Sequence, residues 1–373
     1  MPIAIRPFTS EWIPAVQGLN RRLAAGGVDA ALLFPEDPTP AWLPQLPGRE
    51  IYQEYFLAVD GEHVRGGFIL KRQPFWLSGR LKELTFYHGP ISEGIIDRSF
   101  ASIGVLMVRA ALKAEPRLFA LGMGGVEQPL PLMLKALGWR LDLVPFAFHV
   151  HRPAKFFTNV AALNSNPTRR TASRAAAWTG LGGLGVRAVQ AARGRMPRPS
   201  PEAEAFGAFT GPGSEWIDDL WNAASQDYAM IGARDRITLS VLYPENDARF
   251  HRLRVQRGGR PIGWAVVLDT QKNGDRHFGD LRLGSIIDAM ARPADAAAVV
   301  WAARRFLKAR GVDLVISNQS HHAWVSALRS AGFLTGPSNF AFAASKALVA
   351  ELGVGTVQDV YVNRGDGDGP IHL

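Results

Sequence analysis

The densest group of polar side chains that could do chemistry follows an apolar segment in the second half of the chain. The segment 313–317 is typical of a buried strand, and the group consists of Asn318, Gln319, Ser320, His321 and His322. In open α/β sheets, ligands bind beyond the carboxyl ends of the strands. We therefore expect His321 to act as a general base and Asn318 to approach a cofactor. Gln319 and Ser320 are then the expected substrate ligands. Alternatively, Asn318 and Ser320 only cap the next helix, and the histidines are solvated.

An acidic residue inside an apolar segment is the second candidate. Asp288 lies in the strand-like segment 284–290, where a carboxylate is costly unless it is paired or functional. It could serve as a base, or it could form a structural pair with Arg282 or Arg292. Gly284, which begins this segment, is expected to lie beside the cofactor. Asn339, just before the last strand, is expected to face the same cleft.

In the first half, the candidates are an acid and a histidine on the strand-like segment 81–87. Glu83 lies within this segment and His88 follows it directly, so either could take the proton that an amine acceptor must lose. The alternatives are that Glu83 lies on a solvated strand face and that His88 lies in an ordinary turn. Gly122 and Gly124 follow another apolar segment and would let a cofactor approach the backbone, although a tight turn explains them equally well.

Hydrophobic periodicity places these residues on a repeated order of elements. In each half a strand and an amphipathic helix precede a hairpin, which turns at 60–61 in the first half and at 258–259 in the second. A strand, a helix, a buried strand, a helix and a last strand follow, and the last strands are 144–150 and 340–342. The repeat predicts an N-terminal domain at 1–155, a basic linker at 156–202, a C-terminal domain at 203–350 and a tail at 351–373.

A short motif recurs near the end of each half, where a helix ends in Gly and an aromatic residue. It is Leu134-Lys135-Ala136-Leu137-Gly138-Trp139 in the first half and Leu328-Arg329-Ser330-Ala331-Gly332-Phe333 in the second. Together with the order of elements, it resembles the GNAT superfamily of acyltransferases. The tandem arrangement with a basic insert also resembles the Fem-type peptidyltransferases and related proteins of envelope-polysaccharide synthesis.

The resemblance implies an α/β (α+β) fold of two tandem GNAT-like domains, each with a mixed, largely antiparallel sheet flanked by helices. It implies transfer of an acyl or aminoacyl group, with acyl-CoA or acetyl-CoA as the donor, to an amine of a sugar or of a cell-envelope polysaccharide precursor. Only one half needs to keep the active site, and we expect it to be the second, which has the fuller set of polar residues.

Two features depart from the GNAT pattern. Neither half has the glycine-containing loop that binds the CoA pyrophosphate at a helix start, and the acidic residues Asp97 and Asp295 lie there instead. The tyrosine that often protonates the departing thiolate is replaced by Leu134 in one half and by Leu328 in the other. These departures leave a non-catalytic adaptor for envelope-polysaccharide machinery as the alternative function.

The net charge of +9 is concentrated in one segment. Residues 152–198 contain no acidic residue, and their basic residues are Arg152, Lys155, Arg169, Arg170, Arg174, Arg187, Arg193, Arg195 and Arg198. Because the rest of the chain balances to zero, a dedicated nucleic-acid binder is not expected. Between 168 and 196, arginines mix with Trp178, Leu181 and Leu184, which predicts peripheral contact with a membrane surface. A solvated connector or one that packs on a domain is the alternative.

The composition excludes several other classes of protein. A length of 373 residues predicts two cores, and the absence of cysteine excludes disulfides and thiolate zinc sites. No metal is expected, because two adjacent histidines without further ligands are not a metal-binding pattern. A signal peptide and an apolar span of about 18 residues are both absent, so we expect a cytoplasmic protein that could contact the inner face of the membrane.

The last residues alternate Asp and Gly at 366–369 but lack the glutamate of a calcium loop. We expect them to form a flexible tail that folds over the cleft.

Overall fold

A computed structural model describes residues 3–353 and 359–368 of the chain. Within these ranges the chain forms two compact units. Unit 1 contains residues 3–142 and 341–353, and unit 2 contains residues 143–340 and 359–368. No helix of the described residues is both long enough and apolar enough to cross a bilayer.

The predicted strands and helices appear in the expected order. The structure adds a strand at Arg140–Leu143 in the first half, helices between residues 153 and 193, and further elements in the second half. The strands are β1 (Ala4–Pro7), β2 (Tyr52–Asp60), β3 (His63–Leu77), β4 (Arg80–Ser92), β5 (Leu118–Gly122), β6 (Arg140–Leu143), β7 (Phe146–Val150), β8 (Glu202–Phe206), β9 (Met230–Gly232), β10 (His251–Arg257), β11 (Arg260–Gln271), β12 (Arg282–Ala291), β13 (Leu314–Asn318), β14 (Leu334–Gly336), β15 (Ala341–Ala344) and β16 (Val360–Tyr361). The α-helices are α1 (Ile13–Ala25), α2 (Ser102–Ala114), α3 (Pro129–Ala136), α4 (Pro153–Asn159), α5 (Pro167–Thr179), α6 (Leu181–Arg193), α7 (Trp216–Ala224), α8 (Arg236–Leu242), α9 (Ala296–Ala309), α10 (His322–Ser330) and α11 (Lys346–Leu352).

Unit 1 is built on a mixed sheet with strand order β1-β2-β3-β4-β5-β15-β6. Adjacent residues of β3 point to opposite faces of the sheet, which carry separate apolar clusters. Phe68 and Leu70 join a cluster with residues of α2 and α3, whereas Ile69 joins a cluster with residues of α1. The helices bury the stripes that the periodicity indicated, and the sheet is therefore covered on both faces.

Unit 2 is built on a second mixed sheet with strand order β14-β7-β13-β12-β11-β10-β8. In this sheet β12 and β13 pair in parallel, and the other register-matched pairs of its described strands are antiparallel. Outside this sheet, β9 and β16 of unit 2 pair with each other in parallel. The helix α9 buries its apolar stripe along β11 and β12. Phe156, on α4, lies in a cluster with Val150 and Leu314 of the sheet.

The last strands of the two halves are exchanged. The segment predicted to close the first half, β7, pairs with β13 of unit 2, with Phe148 opposite Ile316. The segment predicted to close the second half, β15, pairs with β5 of unit 1, with Phe342 opposite Leu121. The compact units therefore do not follow the predicted ranges 1–155 and 203–350. Each terminal strand buries its apolar residues in the sheet of the other half.

The segment predicted as a linker, 156–202, belongs to unit 2 and is largely helical. Its helices α5 and α6 are separated by Gly180, whose φ of +73° ends α5 in the left-handed conformation that glycine tolerates best. The side chain of Gln190 on α6 is buried, accepts a hydrogen bond from the Val150 amide (3.0 Å) and donates one to the Val150 carbonyl (3.1 Å). The segment is thus packed on the edge of the sheet near β7.

Candidate functional site

The strands β4 and β5 of unit 1 diverge at their carboxyl ends. They are paired in parallel at two positions only, Thr85 with Leu118 and Phe86 with Phe119. Beyond these pairs β4 continues to Ser92 along β3, while β5 ends at Gly122 and pairs with β15. Beyond Phe86 the two strands do not pair with each other, and their facing edges part. An extended ligand with amide groups could lie between these edges, as in strand addition to a sheet edge.

A bulge in β4 lies beside this opening. Ile69 faces His88 and Gly67 faces Ile91, so the register between β3 and β4 shifts at Gly89, which has a φ of +57°. Bulges re-aim backbone and side chains and are frequent next to active sites. His88 is half-buried, and its ring is stacked on Phe86 with 4.6 Å between the ring centroids. The structure therefore brings His88 to the position where the strands part.

The predicted glycines of unit 1 lie across the same opening. Gly122 ends β5 with a φ of +90°, and Gly124 follows with a φ of +72°. Met123 between them also has a positive φ, of +64°, which is uncommon for a residue with a side chain. The chain thus turns sharply away from the sheet directly after β5. This segment is a βα turn, and it also exposes backbone at the opening.

Glu83 lies away from this opening. It precedes the paired positions of β4 and is exposed, and its Oε1 accepts a hydrogen bond from Arg72 Nη1 at 2.9 Å. Arg72 also contacts Glu54 (2.6 Å) and Glu115 (2.5 Å), so Glu83 is one carboxylate of a surface ion-pair network. Its position at the amino-terminal side of β4 favours the structural alternative over a role as base.

The start of α2 has acidic groups where a GNAT domain has a phosphate loop. Asp97 accepts hydrogen bonds from the Ser99 amide (2.9 Å) and from the Ser99 hydroxyl (2.8 Å). The hydrogen bond from the amide is the main cause that lowers the pKa of the Asp97 carboxyl. Glu93 is buried and ion-paired with both Arg22 and Arg65. These carboxylates balance the nearby arginines, so the residues present do not form a pyrophosphate cradle of the glycine-rich type.

The corresponding opening in unit 2 is filled by the end of the chain. β12 and β13 are paired from Leu283 to Ile286 and then diverge. Residues 360–366 lie in this opening: the Ser320 amide donates to the Val362 carbonyl (3.1 Å), and the Tyr361 hydroxyl donates to the Ala289 carbonyl (2.8 Å). The expectation of a flexible tail is wrong for residues 359–368, because their polar groups form hydrogen bonds with β12 and with the residues that follow β13. Residues 369–373 lie outside the described residues.

Asp288 is fully buried and has a donor for each oxygen. Its Oδ1 accepts from Arg234 Nε (2.9 Å) and Asn363 Nδ2 (2.8 Å), and its Oδ2 accepts from the Tyr243 hydroxyl (2.9 Å). Arg234 also binds Asp366 through Nη2 at 3.0–3.1 Å. The arrangement supports the structural alternative, but the partner is Arg234 rather than Arg282 or Arg292, which pair with Asp269 and Asp227.

His321 is buried and caps α10. Its Nδ1 accepts a hydrogen bond from the Ala323 amide (3.3 Å), and its ring contacts Tyr228 with 4.8 Å between centroids. Burial, together with the neighbouring His322, lowers the pKa of His321 to about 4. The neutral imidazole suits the capping contact, because only the unprotonated Nδ1 can accept.

Of the other predicted residues of unit 2, Asn318, Gln319 and Ser320 are engaged by the chain itself. The Asn318 carbonyl oxygen Oδ1 accepts from Arg364 Nε (3.0 Å), and Gln319 forms a β-bridge with Asn363. The Ser320 hydroxyl accepts from the Val362 amide (2.8 Å). Gly284 lies where a Cβ would meet Leu307 at 3.1 Å, which is a packing reason for glycine, and Asn339 is exposed.

Sequence reasoning missed Arg234, Tyr243 and Asp366, which complete this buried network. Arg234 follows the short strand β9, and no periodic pattern marks a three-residue strand. The only signal for Asp366 was the Asp-Gly alternation, which is compatible with an exposed turn. Among the described residues, no group of three His, Asp or Glu side chains is arranged to hold a metal ion.

Comparisons with known proteins identify the fold. No protein-family model matches the sequence, and no curated protein is similar to it in sequence. A probable N-acyltransferase from Enterococcus faecalis V583 has a similar structure, with a TM-score of 0.51, 8% identity, and coverage of 93% of this chain and 73% of that chain. The N-myristoyltransferase of Saccharomyces cerevisiae, solved with myristoyl-CoA and inhibitors, has a TM-score of 0.50 at 8% identity, covering 92% of this chain and 80% of that chain.

A tandem GNAT protein from the clavulanic acid biosynthesis pathway also matches, with a TM-score of 0.47 and 12% identity over 95% of this chain and 100% of that chain. The expected α/β fold class is confirmed, because the chain has two mixed sheets flanked by helices and its fold is similar to those of the probable N-acyltransferase and of the N-myristoyltransferase.

Proposed function

We propose that this protein is an N-acyltransferase that uses an acyl-CoA donor and carries out the transfer in unit 1. The observation that carries the proposal is the divergence of β4 and β5 after only two parallel pairs, beside the bulge at Gly89. Its fold, which resembles those of an N-myristoyltransferase and of a probable N-acyltransferase, supports the same reaction class. Fold alone does not determine function, so the proposal rests on this opening.

The diverging strands are suited to hold the amide-containing arm of a thioester donor. Backbone groups on the facing edges of β4 and β5 would pair with the donor amides, as a sheet edge pairs with an added strand. Gly122 and Gly124 would allow the donor to approach the backbone closely. Since the start of α2 carries Asp97 and lacks a glycine loop, we expect this chain to depend less on the CoA pyrophosphate than on the arm and the acyl group.

His88 is the proposed general base. The acceptor amine would lose a proton to the imidazole as its nitrogen forms a bond to the donor carbonyl carbon, and the carbon–sulfur bond would then break to release a thiolate, which takes up a proton and leaves as the thiol. Backbone N–H groups near the bulge would stabilise the developing oxyanion. The aromatic rings of Phe86 and Phe119, stacked with centroids 5.3 Å apart, form an apolar floor next to His88.

Unit 2 has a supporting role in this proposal. Its own opening is occupied by residues 360–366, and Asp288 has its hydrogen-bonding capacity filled by Arg234, Asn363 and Tyr243. Asp288 is fully buried with a donor on each oxygen, and the Nδ1 lone pair of His321 accepts from the Ala323 amide, so neither group is placed to receive a proton from an acceptor. We therefore transfer the catalytic assignment from the second half to the first.

The acceptor that we propose is an amine of a sugar or of a cell-envelope polysaccharide precursor, which the Fem-type resemblance implies. Such an acceptor would be met in the cytoplasm or at the inner face of a membrane. Acyl transfer to a panel of amino sugars, amino acids and peptides, followed by mass spectrometry, tests this class. Acylation of peptides but not of amino sugars would contradict it.

The catalytic assignment is tested by two matched substitutions, His88→Gln in unit 1 and His321→Gln in unit 2. With any acyl-CoA and amine that support turnover, H88Q should lower kcat by about 10²–10⁴-fold, the usual contribution of a general base. H321Q should leave kcat within about twofold, since loss of a cap acts on stability, by about 1 kcal/mol. The reverse result would return the site to unit 2, and thermal denaturation of both variants controls for folding.

Calorimetric titration with acetyl-CoA and with longer acyl-CoAs tests the donor. One donor should bind per chain, because the opening of unit 2 is filled; two equivalent sites would contradict this reading. The second candidate function is a non-catalytic adaptor, which the acidic start of α2 and the filled opening of unit 2 both favour. It predicts no heat with any acyl-CoA and no thioester cleavage with any amine.

A further inference from the structure

The outer surface of α5 and α6 exposes large apolar side chains. Trp178, near the end of α5, is 90% exposed, and Leu181 and Leu184 at the start of α6 are 69% and 63% exposed. Isolated exposed apolar residues are ordinary, but three within seven residues around one helix junction form a local patch. We call the surface formed by α5, Gly180 and α6 the α5–α6 hairpin.

The same hairpin carries only positive charge. Its exposed arginines are Arg169, Arg170, Arg174, Arg187 and Arg193, and residues 152–198 contain no acidic residue. Within the described ranges, none of these five arginines forms an ion pair, whereas Arg152 and Lys155 of the preceding segment both bind Asp313. The hairpin therefore combines uncompensated charge with exposed apolar groups.

The inner side of the hairpin is anchored to unit 2, so the outer side is held in place. Gln190 is buried against the Val150 backbone, and the Ser173 hydroxyl donates to the Leu163 carbonyl at 2.9 Å. Gly182 packs so closely on Phe157 that an added Cβ would lie 2.8 Å from its ring. Rigid attachment means that Trp178 and the arginines are presented together, without the entropy cost of ordering a loop.

We propose that the α5–α6 hairpin binds the surface of an anionic lipid membrane. Arginines are attracted to anionic headgroups, while tryptophan and leucine enter the interface between headgroups and acyl chains. Charge complementarity selects this occupant: a sequence-independent RNA site would explain the arginines but not Leu181 and Leu184, and a second copy of the same hairpin would bring like charges together. The proposal does not depend on the acyl-transfer reaction.

Co-sedimentation of the full chain with vesicles tests the proposal. The chain should bind vesicles that contain phosphatidylglycerol and phosphatidylcholine, and bind pure phosphatidylcholine far more weakly. Binding should fall steeply with salt, because about 1 M salt shortens the screening length to about 3 Å. Each arginine near the surface accounts for about a fivefold change in partitioning, so R170E/R174E should weaken binding at least about 25-fold.

The variant W178S/L181S should also weaken vesicle binding. The binding that remains in this variant should come from the arginines and should therefore still fall with salt. Matched controls are R80E/R260E, which reverses two exposed arginines at β-turns, and L32S/L81S, which removes two exposed leucines of unit 1. Both should bind vesicles like the wild type. Thermal denaturation verifies that all four variants are folded.

Four results would overturn the proposal. They are wild-type chain that stays in the supernatant, hairpin variants that bind like the wild type, equal binding to pure phosphatidylcholine, and controls that lose binding to the same extent. Single-stranded RNA that binds more tightly than the vesicles at the same salt concentration, or a Trp178-dependent dimer in light scattering, would assign the hairpin to another partner.

Discussion

The substitution Arg234→Met should unfold unit 2 more readily than any other single change in its buried network. The guanidinium is 1% exposed and donates from Nε to Asp288 at 2.9 Å, from Nη2 to Asp366 at 3.0 Å and from Nη1 to the Gly232 carbonyl at 2.8 Å. Methionine has a similar length and no charge, so the variant leaves two buried carboxylates without their positive partner and the Gly232 carbonyl without its donor.

The size of the effect follows from what remains buried. Removal of one partner from a buried ion pair costs about 3–5 kcal/mol, because the opposite charge stays in a medium that solvates it poorly. Asp366→Asn provides the contrast. Burial already raises the pKa of Asp366, and D366N leaves the Arg234–Asp288 ion pair intact. D366N should therefore lower the free energy of unfolding by about 1 kcal/mol or less. The triple variant R234M/D288N/D366N removes every charge and should lie within about 2 kcal/mol of the wild type.

Urea denaturation, followed by tryptophan fluorescence, measures these differences. Trp264 and Trp324 are fully buried in unit 2 and report on its core. The sign of the pH dependence gives a second check: the pKa of Asp366 is raised by folding, so the stability it contributes is complete at low pH and is lost as the pH rises. The free energy of unfolding of D366N, relative to that of the wild type, should therefore increase as the pH rises toward neutral. An R234M protein as stable as the wild type, or a triple variant no better than R234M, would refute the reasoning.

Three further predictions concern other parts of the chain. Burial lowers the pKa of His149 to about 2, and its Nε2 lies 3.1 Å from Arg304 Nη1. The stability that neutral His149 contributes to unit 2 should be complete above about pH 6.5 and fall by about 1.4 kcal/mol per pH unit below it, and His149→Gln should remove this share of the pH dependence in urea denaturation. Gly263→Ala should lower the free energy of unfolding by about 1–3 kcal/mol, since the added Cβ would lie 2.4 Å from Val299. Gly185→Ala, on the open surface of α6, should raise it by about 0.5–1 kcal/mol. Equal shifts of the denaturation midpoint in the two variants would contradict this expectation. Ser345→Ala should cost unit 1 about 1–3 kcal/mol, because its buried hydroxyl donates to Pro116 (2.6 Å) and accepts from Leu118 (3.2 Å), and unchanged thermal denaturation would argue against that role.

Much of the candidate site in unit 1 could be found from local patterns. The strand 81–87 and the strand that ends at Gly122 both belong to segments with clear periodicity, and the structure places His88 and Gly122 on the two strands that part. Glu83 could not be distinguished in the same way. An acid on a strand looks the same whether it lies at the open or the closed end, and only the positions paired with β5 show which end it occupies.

The candidate site in unit 2 could be located but not interpreted. Asn318, Gln319, Ser320 and His321 do follow a buried strand, and Asp288 does lie inside another, as the sequence indicates. Their partners come from residues 360–366, far along the chain, and a polar side chain gives no sign of whether substrate or its own chain will satisfy it.

By itself the sequence determined the order of the elements, because amphipathic stripes, hairpin turns and helices that end at Gly138 and Gly332 are encoded within short windows. Only the tertiary structure decided which sheet receives each last strand and what fills each opening. The segments 146–150 and 341–344 are both short, apolar and buried, so either could complete either sheet by local criteria. Their exchange, and the contact of Arg234 with Asp288 and Asp366, depend on distances between residues that are remote in the chain, and no local pattern records those distances.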